Sequence, residues 1–182
     1  MARWIKGIAA ASTVLCATFG ILHSLLKADI FLPFAITFGT TAYHFLMRLA
    51  VGHVIDRIMQ NRADYTHPWF QVGQRETRFY NKLRLKHWKN RMPTYAPDLF
   101  DPDRHSWDEI AQAMCQAELV HETIVVFSFL PLLAAIWWDS FGVFLVTSLC
   151  AAALDLSFVF MQRYNRPRVL RLARRDRQKT SV

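Results

Sequence analysis

The chain has 182 residues, 53% hydrophobic and 20% charged, with three cysteines and a formal net charge of +8. Disordered, collagenous and disulfide-rich classes are excluded, because apolar content is high and cysteine is scarce. Mean hydropathy is only +0.11, so the placement of the apolar residues matters more than their number.

That placement is clustered. Residues 7–26 are 20 positions without a formal charge, 30–47 are 18 more, and 123–138 and 140–154 add runs of 16 and 15. A bilayer core about 30 Å thick is crossed by about 20 helical residues. The sequence therefore predicts an all-α integral membrane protein with about four transmembrane helices. The first run follows Arg3 and Lys6 and has the small residues of a signal peptide. No clean A-x-A site follows it, so it is expected to remain as a helix. The expected divisions are a transmembrane hairpin over 1–56, a cytoplasmic interfacial segment over 57–121, a second hairpin over 122–162, and a basic tail over 163–182.

Charge sets the expected orientation. Residues 163–182 carry eight Lys/Arg against one acid, whereas only Asp139 separates the third and fourth runs. The positive-inside rule then puts both termini and the central segment in the cytoplasm, with the protein multi-pass in the cell membrane. The tail reads first as a topology anchor. No nucleic-acid-binding motif accompanies it, so no nucleic-acid partner is expected.

In the central segment, residues 75–91 hold seven Lys/Arg against Glu76. Phe79, Leu83, Leu85, Trp88 and Met92 give a partial apolar stripe, which predicts a basic helix in the membrane interface; a solvated helix packed on its neighbours is the alternative. Pro93, Pro97 and Pro102 break the chain within an acidic stretch. Asp101, Asp103 and His105 there have the composition of a turn more than of a hard-metal site. Ser106-Trp107-Asp108-Glu109 is a capping box, so a helix should start at Trp107 and run into the third span.

That helix carries Glu118 and His121 one turn apart, on one face. A carboxylate at this spacing can orient an imidazole as a general base for a hydroxyl; a helix-surface hydrogen bond is the plainer reading. Gln162-Arg163-Tyr164-Asn165-Arg166-Pro167-Arg168 follows the fourth span. Arginine forks there can bind phosphate or carboxylate, or can simply stop transfer. Pro167 is expected to limit continuation of the helix. Asp155 is costly within an apolar run and should face a cleft or a polar partner.

Three stretches in this order, His87-Trp88-Lys89-Asn90-Arg91-Met92-Pro93, Ala117-Glu118-Leu119-Val120-His121 and 162–168, resemble the glycosyl-4,4'-diaponeurosporenoate acyltransferase family over about residues 75–172. The resemblance implies a small membrane enzyme that moves a fatty acyl group onto a sugar hydroxyl of a membrane glycolipid, in carotenoid-glycoside biosynthesis. The chain departs from the family pattern at Ala113, where an acid is usual, and at Gln116, where Arg is usual. It departs again at Glu122 for Trp, Asp155 for Asn and Ser157 for Pro.

The expected chemistry is then O-acyl transfer to a lipid or glycolipid acceptor. His121, oriented by Glu118, is the expected base. Trp88, Lys89, Arg163, Tyr164, Asn165, Arg166, Arg168 and Asp155 are the expected substrate-binding set, with Lys89, Arg163 and Arg166 on donor phosphates or the oxyanion. The expected donor is a fatty acyl thioester, acyl-CoA or acyl carrier protein, with no cofactor and no metal. The alternatives are a non-catalytic lipid- or partner-binding membrane protein and, less favoured, a metal-dependent membrane enzyme.

Overall fold

The computed structural model describes residues 2–88, 92, 95–138 and 140–180. Lys89 and Asp139, both singled out in the sequence, lie outside the described residues. Those described form helices and no strand: α1 (Ala2–Leu26), α2 (Leu32–Met59), α3 (Gln74–Lys82), α4 (Leu85–Trp88), α5 (Trp107–Phe127) and α6 (Phe141–Thr180). Short 3₁₀ turns lie at Asp29–Phe31, Pro68–Phe70, Pro97–Phe100 and Leu130–Ile136.

Among the described residues, four helical stretches are long and apolar enough to cross a membrane: Arg3–Leu26, Asp29–Met59, Trp107–Ile136 and Phe141–Lys179. Only 11% to 33% of each one's most apolar window is buried within the protein, so most of that apolar surface needs lipid around it. The third differs from expectation. The α-helix stops at Phe127, and Leu130–Ile136 continues as 3₁₀ with Pro131 in its first turn. Proline lacks the N–H that would extend the α-ladder.

The chain divides into two compact units: Met1–His53 with Thr123–Leu154, and Val54–Glu122 with Asp155–Val182. In the first, Phe19 of α1 stacks on Phe31, Phe34 and Phe38 at 5.1–6.3 Å between ring centroids. Gly39 lets the helices approach: a Cβ there would lie 3.1 Å from Cys16 Sγ. The hydroxyls of Thr13, Thr37, Thr40 and Thr41 each donate to the carbonyl four residues earlier, which satisfies them without water. Tyr43 donates to the carbonyl of Phe127 at 2.8 Å, supplying a partner at the open C-terminal end of α5.

The second unit is organised by α5. Its capping box is in place: Glu109 N–H donates to Ser106 Oγ (3.3 Å), and Ser106 N–H donates to Glu109 Oε2 (2.8 Å). Two residues before Glu118, Gln116 holds the end of α2. Gln60 and Asn61 take positive φ (48° and 56°) to end that helix. Gln116 then accepts from Asn61 N–H (2.6 Å) and donates to Asp56 (3.1 Å). Phe70, Ala63 and Cys115 make a small core beside Met59, Tyr65 and Leu119.

Two local expectations are corrected. The helix over 75–91 breaks at Lys82, and Arg84 takes φ 50°. Tyr80 and Leu85 are the buried residues, whereas Phe79 and Leu83 of the anticipated stripe stay exposed. An unbroken helix would not turn both Tyr80 and Leu85 inward, since five residues span 500° of rotation, more than a third of a turn out of phase. Pro167 is inside α6, not at its end. An interior proline costs about 3 kcal/mol; here burial of Arg166 and Ala173 on either side holds the helix together.

Candidate active site

The second unit brings together one face of α5, one face of α6, the segment 65–71 and α3. His121 and Glu122 both lie one turn after Glu118 on α5, at i+3 and i+4. On α6, Asp155, Phe158, Gln162 and Arg166 recur at spacings of three and four, so they too share a face. The bonded pairs run in opposite senses: Glu118 meets Arg163 and Arg166, and His121, further along α5, meets Asp155, further back on α6.

His121 Nδ1 lies 2.9 Å from Asp155 Oδ1, and Phe158 stacks on the imidazole with ring centroids 4.6 Å apart. The Asp155 side chain is 2% exposed and that of His121 is 23% exposed. The imidazole is thus fixed on its Nδ1 side and retains an open edge.

Glu118 is fully buried and takes both arginines. Arg163 Nη1 donates to its Oε1 at 2.5 Å, and Arg166 Nη1 donates to its Oε2. The same guanidiniums hold the 3₁₀ segment. Arg163 donates to the carbonyls of Trp69 (3.0 Å) and Gln71 (3.3 Å), and Arg166 donates to that of Phe70 and lies over its ring. Three consecutive carbonyls are therefore tied to α6. Arg163 also forks onto Glu76 of α3, through Nε and through Nη2 at 3.1 Å.

Glu76 in turn accepts from the Tyr80 hydroxyl. Burial pushes the Glu76 carboxyl up, but the bonds from Arg163 and Tyr80 outweigh it and hold it below its ordinary value. Burial first, and then the hydrogen bond to Glu76 and its charge, push the Tyr80 phenol up. Tyr80 also packs against Phe160 and Tyr164.

The expected Glu118–His121 dyad is therefore replaced by two separate pairs. Residues at i and i+3 share a face, but each side chain reaches a stronger partner on α6. The expectation of an open arginine clamp meets the same correction. Arg166 is 1% exposed and its donors are committed to Glu118 and Phe70, so donor phosphate has no approach to it. Tyr164 accepts from Arg168 at 2.9 Å, and that guanidinium covers its ring. Asn165 is half-buried beside them. Trp88 is not drawn into this cluster by its indole, which donates back to the Leu83 carbonyl (3.1 Å).

Sequence reasoning missed Glu76, Trp69, Phe70 and Phe158 as parts of the site. Glu76 had a signal, as the lone acid in a strongly basic stretch. Backbone carbonyls leave none. Glu122 accepts from the Trp69 indole at 3.0 Å, which explains a polar residue at that position.

A helical membrane protein in which a buried acid holds a part-exposed imidazole, beside an ion-paired arginine layer, has groups suited to acid–base chemistry at a membrane. The chain belongs to the glycosyl-4,4'-diaponeurosporenoate acyltransferase family, whose model matches residues 66–175, more than half of its length. It is an acyltransferase, and the matched stretch contains Glu76, Glu118, His121, Asp155, Arg163 and Arg166. No curated protein and no solved structure matches the chain.

Proposed function

We propose that the enzyme transfers a fatty acyl group from a thioester donor to a sugar hydroxyl of a membrane glycolipid, a carotenoid glycoside being the acceptor its family's name suggests. The observation that carries this reading is the His121–Asp155 pair. With Asp155 ionised, its oxygen only accepts, so Nδ1 carries the hydrogen and Nε2 presents a lone pair at the exposed edge. Asp155 here takes the orienting role expected of Glu118.

The acceptor hydroxyl gives its proton to His121 Nε2 as its oxygen attacks the thioester carbonyl. The tetrahedral intermediate collapses with cleavage of the C–S bond. The imidazolium returns the proton to the departing thiolate, so an ester and a free thiol leave. Glu118, Arg163 and Arg166 act as positioning residues, fixing α5, α6 and the carbonyls of 69–71 around the reacting groups. The positive-inside pattern supports a cytoplasmic location for this layer, where thioester donors are made. The cell membrane is the expected site.

The test uses the purified full chain in nanodiscs, with a radiolabelled acyl thioester and a glycosylated lipid. Label should appear as an ester on the sugar, with release of one thiol per ester. Label found only as free fatty acid would overturn the assignment of a sugar acceptor.

A further inference from the structure

A second feature of the same unit lies farther along α6. A cleft of about 630 Å³ is walled by Tyr65, Thr66 and Gln71 on one side and by Leu170, Arg174 and Arg177 on the other. That volume lies within the range of small-molecule sites, about 300–1,000 Å³. We propose that this cleft holds the phosphate of a phosphopantetheine thioester, and so is the handle site for the acyl donor. The proposal rests on the thioester reading above.

Three observations point there. The first is charge. Arg163, Arg166 and Arg168 are engaged by Glu76, Glu118 and Tyr164, whereas Arg174 has no side-chain partner among the described residues. Arg177 makes a long contact, 3.4 Å, to Asp108 and also interacts with the Tyr65 hydroxyl, while its own side chain stays 59% exposed. The unengaged Arg174 guanidinium, beside a second arginine that is mostly exposed, is a fork suited to phosphate.

The second is preorganisation. The acids near the cleft already have partners: Tyr65 donates to Asp108 (2.7 Å), and the Thr66 hydroxyl and N–H donate to Asp64 (2.6 and 2.9 Å). Gln71 Nε2 donates to the Tyr65 carbonyl (3.0 Å), closing the segment on itself. The arginine bonds to the carbonyls of 69–71 fix this wall to α6.

The third is length. Asp155, Phe158, Gln162, Arg166, Leu170, Arg174 and Arg177 follow one another at spacings of three and four along a single face. At 1.5 Å per residue, Arg174 Cα lies about 28 Å along the helix from Asp155, and its long side chain, tilted toward the helix N-terminus, can bring the guanidinium back to the level of Leu170, about 22 Å from Asp155 and the imidazole it holds. An extended phosphopantetheine arm covers a separation of that order. A free phosphate or a lipid headgroup has no reason to sit one arm's length from the base.

The test is binding of CoA to the full chain in phosphatidylcholine nanodiscs, by calorimetry. Arg174→Gln and Arg174→Glu, at an exposed position, should weaken CoA by about tenfold or more, as loss of a charge-assisted bond implies. Arg171→Gln, on the same helix but outside the cleft, should bind as the parent does. Pantetheine, which lacks the phosphate, should be insensitive to Arg174. Competition by holo-acyl carrier protein, set against CoA, tells which molecule carries the arm. In turnover the Arg174 variants should raise the donor KM and spare kcat. His121→Ala should do the reverse and keep CoA binding. Unchanged CoA affinity in both Arg174 variants, with turnover still dependent on His121, overturns the cleft and leaves the acyl-transfer reading intact. Loss of phosphatidylglycerol binding in place of CoA binding overturns it too. Arg174-dependent CoA binding by a protein that acylates nothing supports the cleft and overturns that reading.

Discussion

Glu118 and Arg166 are buried against each other, at 0% and 1% exposure, with Arg163 on the second carboxylate oxygen. Breaking a buried pair from one side leaves an uncompensated charge, at a cost of about 3–5 kcal/mol. Glu118→Ala should therefore lower the unfolding midpoint in detergent far more than it would as a loss of catalysis alone. Arg166→Lys should not rescue, because an ammonium cannot serve both the carboxylate and the Phe70 carbonyl in the plane of a fork. A Glu118→Ala protein with parental stability and no activity would move Glu118 back into the chemistry.

His121→Ala should cut turnover by about 10²–10⁴-fold, the range for a general base, with little change in the unfolding midpoint. Asp155→Leu should lose a similar amount, since the imidazole is then unoriented. Asp155→Asn should retain most activity, because an amide oxygen can accept the same hydrogen from Nδ1. Single-turnover assays on folded protein measure this, and an active Asp155→Leu enzyme would remove Asp155 from the site.

Gln116 satisfies both Asn61 N–H and Asp56 at the end of α2. Gln116→Ala should cost about 1–3 kcal/mol by leaving part-buried groups unmet. Gln116→Arg should cost less, because a guanidinium can still reach Asp56, although the Asn61 N–H loses its acceptor. Thermal unfolding of the two variants side by side checks the order.

Glu76 has a folded-state pKa below its ordinary value of 4.5. Its contribution to stability is present above that ordinary value and is lost as pH falls through the depressed folded one. Glu76→Gln should therefore be less stable than the parent near neutrality, and the difference should shrink on acidification below about 4.5. A difference that is constant with pH would mean that packing, not charge, is what the substitution removes.

Reporter fusions at the C-terminus and after Asn90 should both read cytoplasmic, and one near Asp139 should read outside. Opposite readings for the first two would require an odd number of spans between them, which the four apolar helices do not allow.

The spans and the capping box could be read from the sequence because both depend on residues close in the chain: runs of apolar side chains, and a Ser–Glu pair three apart. Asp155 could be recognised as costly for the same reason. Its partner could not, since 34 positions separate it from His121 and only packing of α5 on α6 joins them. The pairing of Glu118 is not legible, because helical spacing gives neighbours on one helix and says nothing of competitors on another. Arg163 and Arg166 are legible as anion-binding forks; their anions are Glu76 and Glu118, joined by three backbone carbonyls that have no signature in a sequence.

Pro167 gives α6 a mechanical grading. Its ring supplies no N–H, so the carbonyl of Arg163 lacks the usual donor one turn on, and this turn resists bending with one bond fewer than its neighbours. Below it the helix is clamped by Arg163 and Arg166; above it run Leu170, Arg174 and Arg177. A bend in this part of α6 therefore costs least at the proline, between the arginine clamp and the cleft that Leu170, Arg174 and Arg177 line.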